Sequence, residues 1–102
     1  MKKRPPAFSE QVTFIGVEHL TRAARFYGEV LGMALALDQG ACQIFRCSND
    51  AYIGLCSGLI PRPSDDIILT LVTSEVQSWY EVLVEHVEVD GPPRYNPQYN
   101  IT

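Results

Sequence analysis

The sequence has few of the residues that most often mark a catalytic or structural site. Of its 102 residues, three are cysteines, two are histidines and one is a tryptophan. Cys42, Cys47 and Cys56 are odd in number and show no CxxC spacing, so neither a disulfide framework nor a zinc site is indicated. We predict buried, reduced thiols inside strands, with a reactive or metal-binding thiol as the alternative, and from the reduced thiols a cytoplasmic setting.

Basic charge and long apolar runs are also scarce. Eight lysines and arginines stand against twelve aspartates and glutamates, which gives a net charge of −4. This balance provides no positive surface for nucleic acid. The basic run Lys2-Lys3-Arg4 is interpreted as a solvated arm. No apolar stretch reaches the roughly 20 residues of a membrane span, so we expect neither a nucleic-acid partner nor a membrane partner.

What the sequence does contain is a repeated order of predicted elements. Its 46% apolar and 20% charged residues are typical of one globular domain, which we assign to residues 1–102. Residues 12–57 predict a strand, a helix and three short strands, which is a βαβββ module of an α+β fold. A loop over residues 58–66 leads into residues 67–102, where the same order begins again.

The second copy is predicted to be incomplete. A strand at 67–73, a helix at 74–86 and a strand at 87–90 are indicated, and the last two strands of the module are missing at the C-terminus. Ser74 and Gln77 form a capping box for the helix. An unfinished sheet leaves an unpaired edge and an uncovered apolar face. Three explanations are open, which are a truncated fragment, a naturally shortened gene, and two chains that complete one another; we expect a homodimer.

The hairpin of the first module leaves its register open. Turn-forming residues at 48–51 separate two strand patterns. If Cys47 faces Tyr52 across this loop, Arg46 and Leu55 share one face of the sheet. Because a shift of one residue reverses the two faces, this assignment remains a prediction.

These segments resemble the glyoxalase / bleomycin-resistance / extradiol dioxygenase superfamily, also called the vicinal oxygen chelate proteins. The resemblance rests on VTFIGVEHLTRAARFYGEVLGMALALD, YIGLCSG and ILTLVTSEVQSWYEVL. It implies paired βαβββ modules whose sheets curve together around a cleft. In catalytic relatives, the resemblance implies, the cleft holds a divalent metal that acts as a Lewis acid.

The sequence departs from this superfamily where metal ligands would lie. The ligands implied are a His or Gln that opens the first strand of a module and a Glu in its last strand. The matching positions here hold Val12, Ile68 and Leu55, and Gln11 lies one residue away from the first. Because the three matching side chains are apolar, we expect no metal and no cofactor.

We therefore favour a metal-free protein that binds a small apolar or aromatic molecule, by analogy with drug-sequestering members of the superfamily. No catalytic residue is assigned. The predicted cleft consists of Val12, Phe14, Leu55, Ile68 and Thr70, with Arg46 as a charged anchor. One alternative is a metal-dependent lyase, transferase or dioxygenase whose ligands are displaced in sequence or supplied by a partner chain. The other is a truncated module that acts only through assembly.

Overall fold

A computed structural model describes residues 4–58, 62–63 and 67–98. The chain divides into two compact units, Met1–Ile67 and Ile68–Thr102, at the position where the second module is predicted to begin. The predicted basic arm lies largely outside the described residues, since only its Arg4 is described. The predicted loop at 58–66 lies partly outside them.

The first unit is a βαβββ module, as predicted, with strand ends shifted by one residue. Its elements are β1 (Gln11–Gly16), α1 (Leu20–Arg25) followed by a π-helical segment (Phe26–Val30), β2 (Ala34–Asp38), β3 (Cys42–Ser48) and β4 (Ala51–Cys56). The strands form one sheet in the order β1-β4-β3-β2. β1 is parallel to β4 and the other neighbours are antiparallel, so β1 and β2 are the edge strands.

The helical segments lie against one face of the sheet, which we call the Phe45 face. Phe45 pairs with Ile53 across β3 and β4, both side chains are buried, and Leu55 on the same face is 0% exposed. A Cβ placed on Gly28 would lie 3.2 Å from Cε1 of Phe45. Glycine inside a helical segment is destabilising by about 1 kcal/mol relative to alanine. Here it allows the close approach of the π-helical segment to the sheet.

The opposite face, which we call the Phe14 face, consists of three rows of paired residues that cross β1, β4 and β3. The rows are Val12–Tyr52–Arg46, Phe14–Gly54–Ile44 and Gly16–Cys56–Cys42. A Cβ on Gly54 would overlap the ring of Phe14, since it would lie 3.2 Å from Cγ and closer still to two other ring atoms. Gly54 therefore provides the space that the Phe14 ring occupies.

The register of the hairpin departs from the predicted one at Cys47. Ser48 pairs with Ala51, but the next pair is Arg46 with Tyr52, so Cys47 is the extra residue of a β-bulge. A bulge shifts every later pair by one residue and so exchanges the two faces. The predicted placement of Arg46 and Leu55 on one face is therefore wrong. Arg46 lies on the Phe14 face and Leu55 on the Phe45 face.

The shifted register also places Cys42 opposite Cys56, and the two form a disulfide. Their Cα atoms are 4.1 Å apart. The neighbouring Ser57 N–H donates to the carbonyl of Ala41 at 2.8 Å. This pattern defines a non-hydrogen-bonded antiparallel pair, in which the Cα atoms come closest. The prediction of reduced thiols is wrong for these two cysteines, while Cys47 is free. The cysteines thus give no support to a cytoplasmic setting.

The described part of the second unit contains one helix, α2 (Val76–Leu83). Among residues 67–98 no strand is formed apart from an isolated bridge residue, Asn96, so the strands predicted at 67–73 and 87–90 are wrong. A strand requires a neighbour that takes up its backbone hydrogen bonds and covers its side chains. Ile68 and Val72 instead remain 88% and 94% exposed. No helix in the described residues is long and apolar enough to cross a membrane.

The start of α2 also differs from the predicted capping box. Glu75 occupies the position before the helix, and no side chain caps the first turn. The Glu75 N–H instead donates to Oγ1 of Thr73 at 3.1 Å. The predicted cap at Ser74 is therefore wrong. The residue before the helix is Glu75, one position later, and the side chain of Thr73 holds the turn that leads into it.

We expect Gly54→Ala to lower the free energy of unfolding by about 1–3 kcal/mol, because the added methyl group collides with the Phe14 ring. Urea unfolding of the variant measures this loss. In a Phe14→Leu background the same substitution is expected to have a smaller effect, since the ring is no longer there to be displaced. Equal losses in the two backgrounds would contradict the contact.

Reduction of the disulfide is expected to lower the free energy of unfolding by about 3 kcal/mol, the chain-entropy value for a loop of this length. The two cysteines are 14 residues apart. Denaturant unfolding with and without a phosphine reductant measures the difference, and a Cys42→Ser, Cys56→Ser variant should match the reduced protein. The control Cys47→Ser keeps the full response to the reductant. Three titratable thiols before reduction would show that the bond is absent.

Candidate functional site

The centre of the Phe14 face is apolar and partly accessible. Val12 and Phe14 on the edge strand β1 are 40% and 43% exposed. Ile44 completes the row of Phe14 and is buried, and it pairs on its other side with Leu37 of β2, which is half exposed. Neighbouring apolar side chains that stay accessible on a sheet are a common feature of binding surfaces. The arrangement can bury the apolar part of a small molecule.

One end of this face is polar. Tyr52 lies between Val12 and Arg46 in its row. A hydrogen bond to the side chain of Glu10 raises the pKa of the Tyr52 phenol, and burial and the negative charges of Glu10 and Asp50 act in the same direction. The positive charge of Arg46 opposes them. The phenol is therefore neutral near pH 7 and donates its proton toward Glu10.

The guanidinium of Arg46 is held by the hairpin turn. Its Nε donates to the carbonyl of Ser48 at 3.3 Å, and its Nη2 donates to the carbonyl of Asn49 at 3.1 Å. These two bonds span the bulge at Cys47 and tie the Arg46 side chain to the turn. The residue predicted as a charged anchor thus has a structural role in fixing the bulge, while its charge remains beside Tyr52.

The structure brings together three of the six residues predicted for the cleft. Val12, Phe14 and Arg46 share the Phe14 face, whereas Leu55 lies on the other face and is 0% exposed. The remaining two predicted residues, Ile68 and Thr70, belong to the second unit, and both are exposed. Sequence reasoning missed Glu10, Ile44, Tyr52 and Gly54. The alternating residues Tyr52, Gly54 and Cys56 are the sequence pattern that could have indicated the β4 side of this face. The pattern identifies the correct face only once the bulge is known.

The donor groups on the Phe14 face do not fit a divalent metal. In the two strands that the resemblance singles out, this face presents Val12, Phe14 and Gly16 from β1 and Tyr52, Gly54 and Cys56 from β4. None of these is an imidazole or a carboxylate, and the sulfur of Cys56 is bonded to Cys42. Gln11 points to the opposite face because successive strand residues alternate. Over the described residues, no group of three or more His, Cys, Asp or Glu could hold a metal ion.

Apart from the Phe14 face, a depression lies along the exposed side of α1. It is shallow, with a volume of about 500 Å³, and is lined by His19, Thr21, Arg22 and Arg25. Arg25 is already paired with Glu29, with 3.1 Å between Nε and Oε2, in an exposed bridge of small energetic value. His19 precedes the helix, but its side chain makes no cap. This surface is a solvated helix face without convergent buried groups.

Comparison with known proteins was made by sequence and by structure. No family model matches the chain, and no curated protein matches it by sequence. An integron cassette protein from the mobile metagenome of the Halifax Harbour sewage outfall superposes with a TM-score of 0.69 at 19% identity, over 89% of this chain and 81% of that protein. A lactoylglutathione lyase from Agrobacterium tumefaciens superposes with a TM-score of 0.57 at 19% identity, over 93% of this chain and 81% of the lyase.

At these identities the neighbours establish the fold alone. Both superpositions extend over most of this chain. Together with the βαβββ order of the first unit, they confirm a glyoxalase-like βαβββ module, whereas the second such module that the resemblance implied is not formed among the described residues. This chain has the glyoxalase-like, or vicinal oxygen chelate, fold.

Proposed function

We propose that this protein binds a small apolar or aromatic molecule on the Phe14 face without using a metal. The observation that carries the proposal is the partial exposure of Val12 and Phe14 beside the buried Ile44, next to a single polar end. Small-molecule sites are mostly apolar and have a few polar groups that fix orientation. The Phe14 face has this composition.

The contact between Phe14 and Gly54 suits this face to a flat ligand. The aromatic ring occupies the space above a residue without a side chain, so no group on β4 projects at that point. An aromatic ligand gains both from apolar burial and from the favourable edge-to-face or offset geometry of ring pairs, which contributes about 0.5–1.5 kcal/mol beyond the buried area.

Metal-dependent chemistry receives less support from the side chains present. One structural neighbour is a lactoylglutathione lyase, but the likeness extends to the fold alone. A Lewis-acid mechanism needs oxygen or nitrogen ligands on the face where the substrate lies. In β1 and β4 that face offers apolar residues, glycines, a phenol and a disulfide sulfur. These groups are better suited to binding than to holding a divalent cation.

The matched variants Val12→Gln and Leu35→Gln test the proposed face. Both residues are partly exposed and lie on edge strands, but Leu35 pairs with Phe45 and so lies on the opposite face. We expect Val12→Gln to weaken the binding of 2-naphthalenemethanol by about fivefold, equivalent to about 1 kcal/mol of lost apolar burial. Leu35→Gln should leave binding unchanged. Binding is measured by titration of backbone amide NMR shifts, and equal effects of the two variants would contradict the assignment.

A second candidate function is assembly, and an unpaired strand edge together with exposed apolar residues favours it. β1 pairs only with β4 among the described strands, so its outer edge has no strand partner. In the second unit, Ile68 and Val72 are almost fully exposed. Unpaired strand edges and exposed apolar segments are typical sites of pairing between chains. We propose on this basis that two copies associate as a homodimer.

Sedimentation velocity over a hundredfold range of protein concentration tests the homodimer. We expect a dimer that dissociates on dilution, and an Ile68→Gln, Val72→Gln variant that dissociates at higher concentration. Val84→Gln is the control, since this residue is also half exposed in the second unit but follows α2. A monomer at every concentration would contradict assembly and would leave the binding proposal standing.

A further inference from the structure

We infer that the molecule bound on the Phe14 face carries a cationic or hydrogen-bond-donating group and that this group lies against Glu10 and Tyr52. The inference rests on the proposed function and specifies the class of ligand. It also changes the role of Arg46, which the sequence suggested as a charged anchor.

The strand register places three charged groups around Tyr52. The N–H of Gln11 donates to the carbonyl of Asp50 at 2.9 Å, which holds the start of β1 beside the hairpin turn. Glu10 therefore precedes β1 next to the turn and lies two residues before Val12, on the face that Val12 shares with its pair partner Tyr52. Arg46 pairs with Tyr52 from the other side. An apolar ligand that covers Val12 would have its nearest polar neighbours here.

The charges at this end favour a cation over an anion. Two carboxylates, Glu10 and Asp50, oppose one guanidinium, so the formal charge near Tyr52 is negative. The guanidinium also directs its Nε and Nη2 donors to the carbonyls of Ser48 and Asn49. A carboxylate on the ligand would meet two like charges and a cation already engaged with the turn. An ammonium group would meet an excess of negative charge.

The hydrogen-bonding groups favour a donor for a separate reason. Because the Tyr52 hydroxyl donates to Glu10, the phenolic oxygen keeps lone pairs that accept a hydrogen bond. The carboxylate of Glu10 is itself an acceptor only. The pair therefore presents acceptors to the ligand, and a ligand with an ammonium or hydroxyl group satisfies them.

A series of three probes with one aromatic body tests this inference. The probes are 2-naphthylmethylamine, 2-naphthalenemethanol and 2-naphthoate, which are cationic, neutral and anionic at pH 7. We expect the amine to bind about fivefold more tightly than the naphthoate, with the alcohol between them, since exposed charge interactions are modest. Raising the salt concentration from 20 mM to 500 mM should reduce the preference, because screening weakens exposed charges.

The variant Glu10→Gln identifies the source of the preference. It should bring the amine and the naphthoate to nearly equal affinity and should also lower the pKa of Tyr52 in an ultraviolet titration. The control Glu29→Gln removes an equal charge from the π-helical segment on the other side of the sheet and should keep the preference. The alcohol should bind Glu29→Gln as it binds the unaltered protein within about twofold.

The possible results separate the two proposals. If none of the three probes binds, both the proposed function and this inference are wrong. If all three bind equally, or the naphthoate binds best, the Phe14 face binds aromatic molecules but the inferred selectivity is wrong. If the preference for the amine survives Glu10→Gln, the polar end at Tyr52 is not its source and the inference is likewise wrong.

Discussion

The pairing of β3 with β4 decides which side chains can act together in the first unit. One extra residue, Cys47, displaces the register between the turn and the rest of the hairpin. The displacement places Arg46 and Tyr52 on the Phe14 face and directs Leu55 into the core against the helical segments. The bulge is stabilised locally, because Arg46 donates to two turn carbonyls and Cys47 Sγ donates to the carbonyl of Ala51.

The sequence allowed the order of elements in the first unit to be predicted, but not the faces of its sheet. Alternating and helical periodicities are local, so the strands and the helix over 12–57 could be placed within one residue. The bulge depends on the hydrogen bonds that the side chain of Arg46 makes with the turn, and a periodic pattern of apolar residues does not predict those bonds. The disulfide was missed for the same reason, since Cys42 meets Cys56 only in the shifted register. The site prediction failed at Leu55 as a direct consequence.

The second unit shows a different limit of local patterns. Residues 67–73 have the composition of a strand, yet a strand forms only when another strand accepts its hydrogen bonds. In the described part of the second unit no such neighbour is present, so the segment forms no strand and stays exposed at Ile68 and Val72. What the pattern predicts correctly is α2, because a helix forms its hydrogen bonds within itself.

The two faces of the first sheet use glycine in the same way. Gly28 makes room for Phe45 under the π-helical segment, and Gly54 makes room for Phe14 on the other face. Propensity alone counts both glycines as destabilising, so the aromatic ring that each one accommodates could not be identified from the sequence. On the Phe45 face the aromatic ring becomes core, whereas on the Phe14 face it stays 43% exposed. A glycine that accommodates an aromatic ring thus contributes to stability on one face and to an accessible aromatic surface on the other.

The Phe14 face is also asymmetric along its strands, and on the proposed function this asymmetry orients the ligand. One end is closed by the Cys42–Cys56 disulfide, whose sulfurs neither titrate nor donate. The other end carries Tyr52, Glu10 and Arg46. A molecule with an apolar body and one polar group therefore finds hydrogen-bonding partners in a single direction. Binding in the reverse sense would desolvate the polar group over the disulfide without replacing its lost hydrogen bonds, which costs about 1–3 kcal/mol. Within the three paired rows of this face, orientation therefore follows from the lack of a polar side chain at the disulfide end as much as from attraction at Tyr52.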